Sequence, residues 1–176
     1  MPLPVTARLR NGSVVVVRAA RPDDAEAWVA NFDRVAAEKI YLMTEKFPRT
    51  ADEIRTQFRD NDPRFNLWLV AEVGGQVVAG ANFARGKWSK NAHTAELGMA
   101  VLPEHRGSGI GRMLMESGLE WARSLGVRKV KLGVFASNER AIALYRKMGF
   151  AEEGRLKGEV LLDGRPDDEV LMALWM

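Results

Sequence analysis

Cysteine is absent from the 176-residue chain, and histidine occurs only at His93 and His105. A chain without thiols forms no disulfides, no thiolate metal sites and no covalent intermediate on cysteine. The two histidines are isolated and have no carboxylate at ligand spacing, so we predict no bound metal. His93 precedes a predicted strand and could act as a base, but a solvated or structural role is the alternative for both histidines.

Long apolar segments and a targeting sequence are also missing. Although 47% of the residues are hydrophobic, no apolar run approaches the roughly 20 residues that a membrane-spanning helix needs. The start, MPLP, lacks the charged segment and apolar stretch of a signal peptide. The sequence therefore predicts a cytoplasmic protein without a membrane partner, and the lack of cysteine is compatible with that compartment.

Strong charge of either sign is missing as well, since 26 basic and 23 acidic residues leave a net charge of +3. We find no basic stripe and no nucleic-acid-binding module, so we predict no nucleic-acid partner. Basic residues nevertheless gather near two segments, at positions 106, 112, 140, 146 and 147. They could attract a polyanionic cofactor or form a solvated helix face. The length suits a single domain, 1–176, which buries about 70% of the surface of its unfolded chain.

Glycines at alternate positions, Gly107, Gly109 and Gly111, lie where an apolar strand gives way to a periodically apolar helix. The first amides of a helix have no partner within it and carry about half a positive charge. Glycine lets an anion approach these amides closely. The P-loop is excluded because no Lys followed by Ser or Thr comes after the last glycine. The dinucleotide loop is excluded because it needs glycine where Arg112 stands.

The sequence motif itself, R-G-S-G-I-G at residues 106–111, resembles the coenzyme A signature of the GNAT acetyltransferases. A second block is similar to the family's strand, asparagine, helix and tyrosine segment. It consists of V-F-A-S-N at 134–138, Tyr145, and G-F at 149–150. The resemblance extends over residues 67–150. It implies an enzyme that uses acetyl-CoA as cosubstrate, and it allows a homodimer.

Hydrophobic periodicity, turn residues and helix caps predict an α+β fold. The resemblance implies the GNAT acyl-CoA N-acyltransferase fold, in which about four helices flank a mixed, mostly antiparallel sheet. Predicted strands cover residues 13–19, 67–73, 76–83, 94–101 and 130–135, and two further runs flank residues 163–164. Predicted helices begin near Pro22, at the capping box of Thr50 and Glu53, within the glycine segment, and after Asn138.

Gly98 interrupts the strand 94–101, and a glycine within a strand often marks the close approach of another group. The resemblance implies that this group is the pantetheine arm of the cofactor, laid beside residues 99–101. Alternation places residues 96, 98 and 100 on one face of the strand and residues 97, 99 and 101 on the other. The predicted cofactor-binding residues are Met99, Ala100, Val101, Arg106, Gly107, Ser108, Gly109, Ile110, Gly111, Arg112 and Asn138.

Acetyl transfer from a thioester to an amine needs a neutral nitrogen, a polarised carbonyl and a protonated or stabilised thiolate. Glu96 is the predicted catalytic acid or base because its strand should border the thioester, and a surface glutamate is the alternative. Tyr145 matches the family tyrosine that can protonate the coenzyme A sulfur. Asn138 matches an asparagine that binds the cofactor or places the acceptor. A core tyrosine and an ordinary helix cap are the alternatives.

The segment 38–49 mixes aromatic, apolar and charged residues without a clear period. The resemblance implies that this loop shapes the acceptor pocket, with Tyr41, Glu45 and Phe47 as substrate-binding residues. Core packing is the alternative for the apolar side chains. Asp167 and Asp168, like Glu45, lie in segments expected near the acceptor, which favours a cationic group there.

One residue departs from a pattern within the family. Ribosomal-protein N-terminal acetyltransferases carry a catalytic glutamate five residues before the asparagine, where this chain has Gly133. The leading hypothesis is therefore an N-acetyltransferase that acts on a primary amine of a small molecule, such as an amino acid or related amine. The alternatives are a protein or peptide N-terminal acetyltransferase and a sensor that binds acyl-CoA without turnover.

Overall fold

The computed structural model describes residues 3–9 and 11–176. The strands in this part of the chain are β1 Val5–Arg8, β2 Val14–Ala19, β3 Asn66–Val73, β4 Gln76–Arg85, β5 Thr94–Val101, β6 Lys129–Phe135, β7 Ala151–Leu162 and β8 Arg165–Trp175. The helices are α1 Ala25–Ala36, α2 Ala51–Arg59, α3 Ile110–Ser124 and α4 Glu139–Lys147. Short 3₁₀ turns, Pro22–Asp24 and Pro103–His105, precede α1 and α3.

The predicted helix caps are present. The Thr50 hydroxyl accepts a hydrogen bond from the Glu53 N–H at 3.3 Å, and the Glu53 carboxylate accepts one from the Thr50 N–H at 2.7 Å. The Asn138 side-chain oxygen accepts from the Ala141 N–H at 3.2 Å. These bonds satisfy amides that the helix itself leaves without a partner. The short strand β1 was not predicted.

All eight strands form one sheet in the order β1-β2-β3-β4-β5-β6-β8-β7. Neighbouring strands are antiparallel except β5 and β6, which are parallel. This topology and the four flanking helices confirm the predicted fold class.

Apolar cores lie on both faces of the sheet. On the face covered by α3 and α4, the buried side chains include Leu114, Met115, Ile142, Phe83 and Val130. On the face covered by α1 and α2, they are Ala25, Trp28, Ile54, Phe58 and Val70. We call these the α3/α4 face and the α1/α2 face.

The two parallel strands separate part of the way along their length. They pair at Thr94–Lys129, Ala95–Val130 and Glu96–Lys131, and the described residues contain no further pair between them. Beyond this point β5 stays paired with β4, and β6 stays paired with β8. A V-shaped opening therefore divides the sheet and connects its two faces. In each of these pairs, the β6 residue number is 35 higher than the β5 residue number. The same offset places Gly133 on β6 level with Gly98 on β5, on opposite sides of the opening.

Candidate active site

Backbone amides at the start of α3 form the predicted anion-binding loop. Gly107 and Gly109 have positive φ angles of 76° and 99°, which favour glycine. The first backbone hydrogen bond of the helix runs from the Met113 N–H to the Gly109 carbonyl, at 3.1 Å. Among the described residues, no carbonyl accepts a hydrogen bond from the amides of residues 107–112. These donors and the positive end of the helix dipole suit a diphosphate.

Arg140 brings a cation to this loop. Its Nη2 atom lies 2.7 Å from the point that a Cβ on Gly107 would occupy. The sequence left two roles open for Arg140, and the structure places its guanidinium against the loop rather than away from it. No sequence signal could assign this contact, since the two residues lie on different elements.

The other predicted side chains of the loop make local contacts. The Ser108 hydroxyl donates to the His105 carbonyl at 2.5 Å. Arg112 donates to Glu116, one turn further along α3, at 2.8 Å. Ile110 is buried in the core, so only its backbone can face a ligand.

The Arg106 side chain points away from the loop. It donates to both carboxylate oxygens of Glu38, at 2.8 and 2.5 Å, and to the Val101 carbonyl at 3.0 Å. Its guanidinium carbon lies 4.6 Å from the centre of the Tyr41 ring. The hydrogen bond to Glu38 raises the pKa of Arg106 above its ordinary value and outweighs partial burial, which alone would lower it. Arg106 and Tyr41 thus join the end of β5 to the segment that follows α1.

The alternation predicted for β5 is confirmed. Ala100 packs with Val35 and Leu102, whereas Met99 packs against the core of the α3/α4 face. The Met99 methyl group lies 3.4 Å from the Cβ position of Gly111. A Cβ on Gly98 would have no atom within 4 Å. Gly98 therefore leaves open space on the α1/α2 face beside the opening.

Tyr145 is buried on the α3/α4 face, with its ring centre 5.9 Å from that of Phe150. Burial raises the pKa of Tyr145 to about 12, because the phenolate would lose its hydration. No described residue forms a hydrogen bond with its hydroxyl group. The hydroxyl stays protonated at neutral pH and is available as a donor. Asn138 serves as the cap of the same helix, α4.

A cavity of about 230 Å³ lies on the α1/α2 face next to Gly98. Half of its lining residues are aromatic, and Arg49 is its only charged lining residue among those described. The Arg49 guanidinium donates to Gln57 at 2.9 Å, and no described carboxylate forms an ion pair with it. The complete lining is Trp28, Phe32, Phe47, Pro48, Arg49, Trp68, Asn82 and Gly98.

Of the three predicted substrate residues, Phe47 lines this cavity, and Tyr41 and Glu45 do not. Glu45 forms an ion pair with Lys39 at 3.1 Å. Sequence reasoning did not select Arg49, although it lies in the segment that was assigned to the acceptor.

The two aspartates assigned to the acceptor region also lie outside the cavity lining. Asp167 accepts a hydrogen bond from the Ser137 N–H at 3.2 Å. Asp168 accepts from Lys157 at 2.8 Å and from the Gly158 N–H at 3.0 Å, which together lower its pKa to about 2. The cavity therefore carries a cationic side chain where the sequence led us to expect acidic ones.

Two carboxylates lie on the α1/α2 face beside the opening. Glu96 on β5 is 64% exposed and forms an ion pair with Lys131 at 3.2 Å. Glu169 on β8 reaches across to β6, where its Oε1 lies 2.0 Å from the Cβ position of Gly133. The Glu169 carboxylate thus lies over Gly133. This is the position at which the ribosomal-protein N-terminal acetyltransferases carry their catalytic glutamate.

Residues 3–9 and 11–176 contain no group of three or more His, Cys, Asp or Glu side chains that could hold a metal ion. No helix in this part of the chain is long and apolar enough to cross a membrane. His93 stacks on Trp175 with ring centres 6.5 Å apart, at the closed end of the β5–β6 pairing. His105 lines a separate polar cavity of about 460 Å³ beside the start of α1.

The sequence matches the family described as "Acetyltransferase (GNAT) family" over residues 28–150. The chain therefore belongs to the GNAT family of acetyltransferases. This membership confirms the resemblance recognised in the two motif blocks and the prediction of an N-acetyltransferase enzyme.

Several acetyltransferases resemble the chain over most of its length. The L-amino acid N-acetyltransferase AaaT of Escherichia coli (strain K12) is 29% identical over 163 residues, which cover 92% of this chain and 98% of the relative. A solved ribosomal-protein-alanine N-acetyltransferase from Brucella melitensis is 30% identical, with a TM-score of 0.79. The match covers 91% of this chain and 99% of the Brucella chain. A phosphinothricin acetyltransferase from Sinorhizobium meliloti, solved with acetyl-CoA, shares the fold at 22% identity, with a TM-score of 0.83. The match covers 92% of this chain and 88% of the Sinorhizobium chain.

Proposed function

We propose that the protein transfers the acetyl group of acetyl-CoA directly to a primary amine of a small molecule, either an amino acid or a related amine. The observation that carries this proposal is the opening between β5 and β6. It connects the anion-binding loop on the α3/α4 face with the cavity beside Gly98 on the α1/α2 face. A donor held on one face can thus meet an acceptor that enters from the other.

The cofactor-binding residues fit a coenzyme A diphosphate and its pantetheine arm. The amides of residues 107–112 and the guanidinium of Arg140 supply donors and positive charge for the diphosphate. From residue 97 onward, the β6 side of β5 has no strand partner, so its backbone can pair with an extended arm. The Sinorhizobium meliloti enzyme, which shares the fold, was solved with acetyl-CoA.

The reaction needs one proton donor and one proton acceptor. The amine nitrogen attacks the thioester carbonyl carbon, an N–C bond forms, and the C–S bond breaks. Tyr145, which stays protonated because of its burial, gives its proton to the leaving sulfur. A carboxylate on the α1/α2 face takes the proton of the amine, and Glu96 is the candidate that the sequence provides. Holding the two reactants at attack distance contributes up to about 7 to 11 kcal/mol.

The cavity favours an acceptor with an apolar body and an anionic group. Trp28, Phe32 and Phe47 can pack against apolar surface, and Arg49 can bind a carboxylate. Amino acids combine such groups with a primary amine, and AaaT acts on L-amino acids according to its name. At about 230 Å³, the cavity is smaller than sites for drug-sized ligands. These features favour a small amine over a protein N-terminus.

The proposal is tested by measuring the release of free thiol from acetyl-CoA with panels of amino acids, polyamines, aminoglycosides and peptides. We expect turnover with amino acids or related small amines. Turnover with peptides alone would instead identify an N-terminal acetyltransferase, as in the Brucella melitensis relative. Binding of acetyl-CoA without turnover on any panel would identify a sensor.

Calorimetry with coenzyme A tests the cofactor site separately. Gly109→Ala places a side chain in the loop at a φ of 99°, and we expect it to weaken binding at least tenfold because the methyl group obstructs the amides. Gly126→Ala is the matched control, since Gly126 also has a positive φ, 70°, but lies beyond the other end of α3. Equal weakening in both variants would contradict the assigned loop.

A further inference from the structure

We propose that Glu169 is the general base that takes the proton from the acceptor amine. This inference rests on the proposed function and assigns one of its steps to a residue that the sequence motifs do not include.

The position of Glu169 follows from the register of three strands. Gly133 on β6 pairs with Leu171 on β8, and Glu169 lies two residues earlier on β8, so both β8 side chains share one face. The Glu169 side chain leans back over Gly133, with Oε1 at 2.0 Å and Cδ at 2.9 Å from its Cβ position. Any other residue at position 133 would fill this space. The glycine thus leaves room for the carboxylate.

This carboxylate borders the reaction path. Gly133 lies level with Gly98 across the opening, and Gly98 lines the acceptor cavity. An amine that reaches from the cavity to a thioester in the opening therefore passes between Gly98 and the Glu169 carboxylate. A carboxylate in this position can accept the proton directly or through one water molecule.

The charged neighbours favour Glu169 over Glu96. Lys131 neutralises Glu96 and lies before the opening begins. On β7, Arg155 and Lys157 contact Asp168, whose side chain points to the opposite face from that of Glu169. No described residue forms an ion pair or hydrogen bond with the Glu169 carboxylate. Glu169 is half-buried, so it is partly shielded from water and has no basic partner.

The step balances without an additional reactant. As the amine nitrogen bonds to the carbonyl carbon, its proton moves to Glu169, while the leaving sulfur takes the proton of Tyr145. Glu169 then releases its proton to solvent, and the Tyr145 phenolate takes one up. The products are the acetamide and free coenzyme A.

The test compares the pH dependence of kcat/KM in the wild-type protein, Glu169→Gln and Glu96→Gln, with the best amine of the thiol-release panel as substrate. We expect Glu169→Gln to lower kcat/KM at pH 7 by about 10²- to 10⁴-fold. The deficit should shrink as the pH rises, because hydroxide can then take the amine proton in place of the missing carboxylate. Glu169→Asp should retain part of the activity, and the loss of kcat/KM in Glu96→Gln should be smaller than the loss in Glu169→Gln.

A second test displaces the Glu169 carboxylate without replacing the residue. Gly133→Ala puts a methyl group at the carboxylate position, so the flexible side chain must swing away, and activity should fall by about 10²-fold. Gly154→Ala on β7 is the control, since its Cβ would lie at an ordinary 3.7 Å from Leu171. Coenzyme A affinity and melting temperature should change little in either variant.

Three outcomes would overturn the assignment of Glu169. Glu169→Gln could retain full activity, Glu96→Gln could carry the loss instead, or the deficit of Glu169→Gln could be the same at every pH. Failure of the proposed function is recognised separately, because the wild-type protein would then release no thiol with any amine.

Discussion

At the scale of single residues, burial and partners decide which chemistry a side chain can perform. Tyr145 keeps its proton because its phenolate would be buried without hydration. Arg106 belongs to the cofactor signature, yet its side chain is fully engaged by Glu38 and the Val101 carbonyl. Arg49 belongs to no motif, yet it lines the cavity beside Gly98. Motif membership and chemical availability are therefore separate properties.

Tyr145→Phe should lower kcat by about 10²- to 10⁴-fold, because the leaving thiolate loses its proton donor. The affinity for coenzyme A should stay within a few-fold, since phenylalanine fills the same buried space. The measurement is steady-state kinetics combined with calorimetry. Because the pKa of Tyr145 is raised to about 12, ionisation of this residue should not reduce wild-type activity below about pH 10. A variant with wild-type kcat would show that Tyr145 is only a core residue.

Arg49→Gln should raise KM for a carboxylate-bearing acceptor about tenfold or more, because it removes a charge-assisted hydrogen bond. A matched pair of substrates isolates the effect. Phenylalanine and phenethylamine share the ring and the amine, and only phenylalanine carries a carboxylate. The variant should lose its preference for phenylalanine while KM for phenethylamine stays unchanged. Equal changes for both amines would contradict recognition of the carboxylate by Arg49.

At the scale of elements, the separation of β5 from β6 creates the site. A parallel pair that continued to the strand ends would close the opening that we propose for the pantetheine arm. Beyond the point of separation, β5 stays paired with β4 and β6 stays paired with β8, but β5 and β6 no longer pair with each other. The Arg106–Glu38 ion pair then joins the end of β5 to the segment whose later residues wall the acceptor cavity. The opening and the cavity are thus bordered by elements that contact one another.

Gly98→Val should abolish most acetyl transfer while leaving coenzyme A affinity within a few-fold. The Cβ of the added side chain meets no atom within 4 Å in the protein, so the fold should tolerate it. It projects on the α1/α2 face, where the amine must approach the thioester. Thiol-release kinetics, calorimetry and thermal melting together test this expectation. Wild-type turnover in Gly98→Val would show that the acceptor does not pass this position.

At the scale of the whole molecule, a partly buried charge cluster joins sequence-distant parts of the fold. The Arg18 guanidinium on β2 donates to Asp24 at 2.7 Å, just before α1, and to Glu72 on β3 at 3.0 Å. Burial alone would raise the pKa of Asp24. The hydrogen bonds from Arg18 and from the Arg21 N–H outweigh that effect, and they lower the pKa below its ordinary value. The charged form of Asp24 therefore stabilises the folded state.

Asp24→Asn should reduce the free energy of unfolding by about 3 kcal/mol, the lower end of the range for breaking a buried pair, because Glu72 remains as a partner. A lowered pKa in the folded state means that the Asp24 contribution is complete above its unfolded pKa of about 4. The contribution is lost as the pH falls through the folded value. Urea unfolding at pH 7 and at pH 3 measures this, and the two proteins should differ less at the lower pH. A constant difference would contradict the linkage.

The sequence by itself determined the features that depend on neighbouring residues. The capping box at Thr50, the glycine turns and the alternation along β5 each involve a few consecutive positions, and local sterics and hydrogen bonding decide them. For the same reason, the two motif blocks were enough to recognise the family and the fold class.

Only the tertiary structure decided which distant side chains meet. The contacts of Arg140 with Gly107, of Glu38 with Arg106 and of Glu169 with Gly133 join residues on different elements. Such contacts depend on strand register and helix packing, and a one-residue slip would turn each strand side chain to the opposite face. Asp167 and Asp168 were predicted near the acceptor, whereas the next residue, Glu169, has its carboxylate beside Gly133 at the opening. That difference arises because the pairing of β8 with β6, rather than any local pattern, fixes which side chain faces Gly133.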